Sequence, residues 1–165
     1  MSRSSYVDLA LKAAAVALLV GAVATGGQAV NRERGQAVNS VNRDGSGLAI
    51  DGYDPVAYFV DAAPVPGRSD LTVVIDGTIY RFATSANRDR FRQDPAQFLP
   101  QYGGFCAYAV SRGYTADIDP QAWKIVGGKL YLNYSKRAQQ LWEEDVPGNI
   151  RKGDANWPSL RDRKE

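Results

Sequence analysis

Cys106 is the single cysteine of this 165-residue chain, which contains no histidine. Those two facts bound the chemistry. Without imidazole, the most frequent general base and the most common metal ligand are both missing, so Ser-His-Asp, Cys-His and His-based zinc sites are excluded. What remains is one thiol, a set of carboxylates and many aromatic side chains. Cys106 follows Gly103-Gly104 at the expected start of a short helix, where free N–H groups and the helix dipole favour a thiolate. A thiolate there would suit a soft metal such as Cu(I), or thiol exchange. The competing reading is a packed cysteine acting as a small hydrophobe between Phe105 and Ala107, the commoner state of a free cysteine. A single thiolate also needs partner donors, and Met1 is the only methionine.

Two pairs of carboxylates stand close in sequence, Asp51 with Asp54 and Asp117 with Asp119. Such pairs can serve as acid and base or hold a hard cation. Neither pair fits an EF-hand pattern, and Asp ahead of Gly or Pro is ordinary turn chemistry. The aromatics Tyr53, Tyr58, Tyr80, Tyr102, Tyr108, Tyr114, Trp123, Tyr131 and Tyr134 could line a pocket, but most read more simply as core and rim residues. Gly127-Gly128 is not a phosphate loop, since no Lys-Ser/Thr pair follows it.

These residues need elements to position them. Leu71 to Ile75 and Thr78 to Phe82 are β-branched and aromatic runs around Asp76-Gly77, a strong two-residue hairpin signal. Ala122 to Val126 and Lys129 to Asn133 flank Gly127-Gly128 in the same way. Thr84 or Ser85 is placed to cap a helix through Gln93, and Pro95 to begin a short one through Leu99. The small-residue run Phe105 to Val110 reads as a short helix. Ser135 caps a further helix whose Ala138, Leu141, Trp142 and Val146 share one face. Pro147 is expected to end it, with Asn149 to Leu160 wrapping back and docking at Trp157-Pro158. The fold class is α+β: two β-hairpins packed against three or four short helices.

Ahead of that domain, Arg3 and Lys12 precede an unbroken apolar run, Ala13 to Ala24. The run is shorter than the ~20 residues that span a bilayer, and Ala22-Val23-Ala24 offers a cleavage site, so it reads as a secretory signal. An uncleaved membrane anchor is the other reading. No cysteine directly follows the run, against a lipoprotein. Residues 25–46 are rich in Gly, Asn, Arg and Gln with no apolar period, a flexible tether. The expected organisation is residues 1–24 signal or anchor, 25–46 linker, 47–160 domain and 161–165 charged tail. From Gly47 to Leu160 there are 12 Lys and Arg against 13 Asp and Glu, one net negative charge. A near-neutral domain lacks the basic footprint of a nucleic-acid binder. The overall pI of 8.7 comes from the tether and the tail.

Three segments in order resemble the YHS domain family: Gly52-Tyr53-Asp54-Pro55-Val56-Ala57-Tyr58-Phe59, then Ile79-Tyr80-Arg81-Phe82-Ala83, then Asn87-Arg88-Asp89-Arg90-Phe91 with Asp94-Pro95. Beyond them, Gln101 to Ser111 with Asp119-Pro120 and Trp123-Lys124 is similar to exported, single-domain members of that family. The metal-associated members carry Cys after the Asp-Pro-Val, after the strand-ending Phe, and four residues later. This chain has Ala57, Ala83 and Asn87 there. Zinc and copper need soft thiolate or imidazole donors in a closed set, so the resemblance carries the fold and not the ligand set.

The resulting expectation is an exported, periplasmic or secreted binding or interaction module without catalysis or cofactor. Its partner is an unidentified protein or small ligand, not nucleic acid, with the membrane reached only through an uncleaved N-terminal segment. The expected pocket residues are Asp54, Tyr58, Tyr108 and Trp123. The alternative is a soft-metal-handling, copper-like or thiol-redox protein using Cys106.

Overall fold

The computed structural model describes residues 40–162. The expected signal or anchor and most of the expected linker therefore lie outside the described residues. Helix α1 (Ala57–Val60) is followed by strands β1 (Arg68–Ile75) and β2 (Thr78–Phe82), then helices α2 (Ser85–Gln93), α3 (Pro95–Phe98) and α4 (Ala107–Ser111). Strands β3 (Asp119–Val126) and β4 (Lys129–Asn133) come next, then helices α5 (Lys136–Glu143) and α6 (Val146–Arg161). Single 3-10 turns at Ile50–Gly52 and Gln101–Gly104 precede α1 and α4.

The strands form two separate antiparallel hairpins, β1–β2 and β3–β4. Asp76-Gly77 and Gly127-Gly128 all have positive φ (48°, 75°, 56° and 73°), the twist that two-residue hairpin loops require. Ile75 therefore pairs with Thr78, and Val126 with Lys129. The expected caps are in place: Thr84 accepts from the Asn87 N–H and Ser135 from the Ala138 N–H. The α+β class stands, with six helices among the described residues rather than three or four.

Two apolar clusters form the core. The first gathers Val56, Tyr58, Tyr80, Phe82, Phe91, Phe98, Leu130 and Leu132; the second gathers Tyr102, Ala107, Val110, Tyr131, Trp142 and Leu160. Of the face expected on α5, Trp142 is fully buried, while Ala138, Leu141 and Val146 are only partly so.

Two expectations are corrected. Pro147 does not stop a helix; it lies at the start of α6, where a missing N–H costs nothing. The segment from Asn149 to Leu160 is therefore helical, although Trp157 does dock as expected, against Tyr102 and Phe105. Residues 42–44 of the expected linker also dock on the domain. The Asn42 N–H donates to the Gly103 carbonyl over 2.8 Å, its side-chain amide to the Gly104 carbonyl over 3.3 Å, and Arg43 bridges Ala49. A polar, aperiodic segment can still dock when backbone groups of the domain accept from it.

Candidate functional site

The positions at which the resemblance implies thiolates converge on one buried carboxylate. Asp54 is fully buried. Its Oδ1 accepts from the N–H groups of Val56 (2.8 Å) and Ala57 (3.3 Å), so it organises the entry to α1. Its Oδ2 accepts from the Ala83 N–H and from Nδ2 of Asn87, each over 2.8 Å. A carboxylate has about four lone-pair sites, and all four face donors here. Ala57 and Ala83 bring no side-chain donor, and Asn87 presents N–H toward Asp54. The residues present do not fit a soft metal. Among the described residues, no group of three His, Cys, Asp or Glu side chains could hold a metal ion.

Of the four expected pocket residues, Tyr58 and Trp123 pack against each other, while Asp54 and Tyr108 make their contacts elsewhere. The Tyr58 hydroxyl donates to the Pro120 carbonyl over 3.0 Å, and its ring meets Trp123 edge-on at 5.2 Å. Burial pushes the Tyr58 phenol far above its ordinary range. This pair locks α1 to the start of β3 inside the first cluster. Asp54 is enclosed by its own donors. Tyr108 stands by the Arg112 guanidinium, 4.9 Å from its ring centroid, and its hydroxyl accepts from Arg112 Nη2 over 3.2 Å.

Cys106 is 2 % exposed and caps α4, its sulfur accepting from the Ala109 N–H over 3.5 Å. The thiol reaches Oδ1 of Asn133, 3.8 Å away, which also accepts from the Tyr108 N–H. Asn133 is fully buried, and its Nδ2 has no hydrogen-bond partner. The sulfur is thus an internal hydrogen-bonding group facing protein on every described side.

An open cleft of about 340 Å³ lies elsewhere, between the chain entry, the 3-10 turn before α1 and the loop before β3. Asn42, Arg43, Asp44, Leu48, Ile50, Asp51, Asp117 and Ile118 line it. Ile50 and Asp51 both have left-handed backbones, at φ 53° and 49°. For a β-branched residue such as Ile50 this is strained. The two nearest carboxylates are pushed in opposite directions. Hydrogen bonds from the Ser46 hydroxyl and the Leu48 N–H hold Asp44 below its ordinary range. Asp51 is raised, first by desolvation and then by the like charges of Asp117, Asp44 and Asp119. The one cation of the lining, Arg43, directs Nη1 at the Thr78 hydroxyl, 3.4 Å away. Sequence reasoning missed this site because its carboxylates come from segments that only the fold brings together. The pairing of Asp51 with Asp117 had no local signal.

No curated protein and no solved structure matches this chain. The family model of the YHS domain matches residues 56–102, from just before α1 through the first hairpin, α2 and α3. It covers all three residues whose backbone N–H groups donate to Asp54, namely Val56, Ala57 and Ala83, and the Asn87 that completes the set. Over residues 56–102 the chain is similar to the YHS domain, which is consistent with a YHS-family protein.

Proposed function

We propose that this chain is an exported, non-catalytic binding module of YHS type, which takes a small cationic ligand in the acidic cleft. The observation that carries this reading is Asp51. Its exposed carboxyl lines the cleft with those of Asp44 and Asp117, and it is raised by partial desolvation and by the like charges around it, so acidic charge is concentrated there. A bound ammonium or guanidinium would relieve it. The cleft volume falls at the lower end of the ~300–1,000 Å³ usual for small-molecule sites. The absence of histidine and the donor-saturated Asp54 support binding over catalysis. Burial of Cys106 argues against a metal-handling or redox role for its thiol.

The test is an NMR titration of the full chain with spermidine as the cationic probe. The reading expects saturable shifts at Asp44, Asp51 and Asp117, lost in Asp51→Asn and unaffected by Asp70→Asn, whose exposed side chain pairs with Arg68 outside the cleft lining. Shifts spread over every surface carboxylate, or none at all, would sink it.

A further inference from the structure

The second half of the chain repeats the first, in backbone more than in sequence. Ile50, Asp51 and Gly52 are three consecutive left-handed residues at φ 53°, 49° and 79°. Tyr102, Gly103 and Gly104, 52 positions later, repeat them at 55°, 60° and 82°. Each triplet closes with the same turn: Tyr53 N–H to the Ile50 carbonyl at 2.9 Å, and Phe105 N–H to the Tyr102 carbonyl at 3.0 Å. The next residues, Asp54 and Cys106, each donate their N–H to a distant loop carbonyl, that of Val65 at 2.9 Å and that of Ala116 at 3.0 Å. Each side chain then accepts an N–H three residues on, that of Ala57 at the start of α1 for Asp54 and that of Ala109 in α4 for Cys106, the N-cap of that helix.

The correspondence continues with an offset of 51. Strands β1 and β3 are eight residues long, β2 and β4 five, joined by two-residue loops. Both hairpins carry a register irregularity at the same point, between Arg68 and Thr72 and between Asp119 and Trp123. Thr84 and Ser135 cap the following helices through the N–H of Asn87 and Ala138. Phe91 and Trp142 are the fully buried aromatics of those helices, packed 5.2 Å from Tyr80 and 5.1 Å from Tyr131. Three rare left-handed residues, a bulge, two caps and an aromatic pair do not coincide by hairpin chemistry alone, because only the two-residue loop is dictated by local rules.

We infer that residues 50–93 and 102–143 are two copies of one structural unit, and that Cys106 is the counterpart of Asp54. The family model reaches only the first copy. Divergence has two visible causes. Where Asp51 opens onto the cleft, Gly103 is covered by the chain entry, and a Cβ there would collide with the Ser40 carbonyl. Where Asp54 ties α1 to the end of β2 and to α2, Cys106 ties α4 to Asn133 at the end of β4. Cys106 is therefore a positioning residue whose sulfur stands in for a capping oxygen. In the second copy the counterparts of Ala57, Ala83 and Asn87 are Ala109, Tyr134 and Ala138, a set that again offers no thiolate.

Native-state amide exchange on the full chain tests this equivalence, read at Ala57 and Ala109 in parallel. Cys106→Ser and Asp54→Ser should keep their capped amide slow, because a hydroxyl accepts in the same place. Cys106→Ala and Asp54→Ala should each accelerate the capped amide by roughly fivefold or more, the ratio that corresponds to loss of a typical cap. If either alanine variant fails to fold, the serine variant and thiol labelling of the native parent chain still decide. An Ala109 amide indifferent to Cys106→Ala, an Ala109 amide accelerated by Cys106→Ser, or rapid native labelling of Cys106 would overturn the assignment.

Discussion

Nδ2 of Asn87 donates to Oδ2 of Asp54 over 2.8 Å, tying residues 33 positions apart inside the core. With the Ala83 N–H on the same oxygen, this fixes α1 against the end of β2 and the first turn of α2. Removing the carboxylate strands four donors, three of them buried, and a buried one costs ~1–3 kcal/mol when unsatisfied. Asp54→Ala is expected to destabilise the domain by at least ~3 kcal/mol in urea denaturation, and Asn87→Ala by about 1–3 kcal/mol. The double variant should lose less than the sum, since both remove the same bond. Additive losses would show that the two side chains act independently.

How much of this was legible depends on range. Both hairpins, the Thr84 and Ser135 caps and the capping place of Cys106 follow from neighbours within about four residues, and all were read from the sequence. The turn half of Asp54 was legible for the same reason, its Oδ1 serving Val56 and Ala57. Its Oδ2 half was not, because nothing local marks Ala83 and Asn87 as partners. Helix α6 was hidden by its composition. Gly148, Gly153 and Pro158 all depress helix propensity, yet Gly153 is there for packing: a Cβ would stand 2.6 Å from the Tyr102 hydroxyl. Tertiary fit overrode local preference.

Trp142 is fully buried against Tyr131 at the centre of the second cluster. Trp142→Ala is expected to cost ~3–5 kcal/mol as a large-to-small core change, measured by denaturant unfolding. Retention of parent stability would place that face wrongly.

Stability should fall at alkaline pH. Burial raises the phenols of Tyr58, Tyr80 and Tyr102, and that of Tyr80 is pushed up to about 12. A group whose acid form is favoured by folding binds more protons folded than unfolded above pH ~10, so stability declines as pH rises through that range. Between pH ~10 and ~12 Tyr80 alone accounts for up to about 2–3 kcal/mol. Thermal melts across pH 8 to 11 (roughly, within the stable range) with tyrosinate absorbance should show the melting temperature dropping before native tyrosines ionise. Ionisation of these buried rings near pH ~10 in the folded protein would contradict their placement.

The docked chain entry predicts unequal truncations. Removing residues 1–39 should leave stability unchanged, because the contacts of Asn42, Arg43 and Asp44 remain. Removing residues through Ser46 should cost about 2–4 kcal/mol, the sum of several ordinary hydrogen bonds. Equal melting temperatures for the two forms would mean that the entry segment contributes nothing to the fold.

The central claim is that hydrogen bonds to Asp54, rather than a metal, hold the point where YHS-type thiolates would gather. The direct measurement is metal content and melting temperature of the purified full chain, with Zn²⁺ or Cu⁺ supplied and with chelator. The account predicts no stoichiometric metal and the same melting temperature in all conditions. Retention of one metal per chain, lost on changing Asp54 or Cys106 and accompanied by a chelator-sensitive melting temperature, would contradict it.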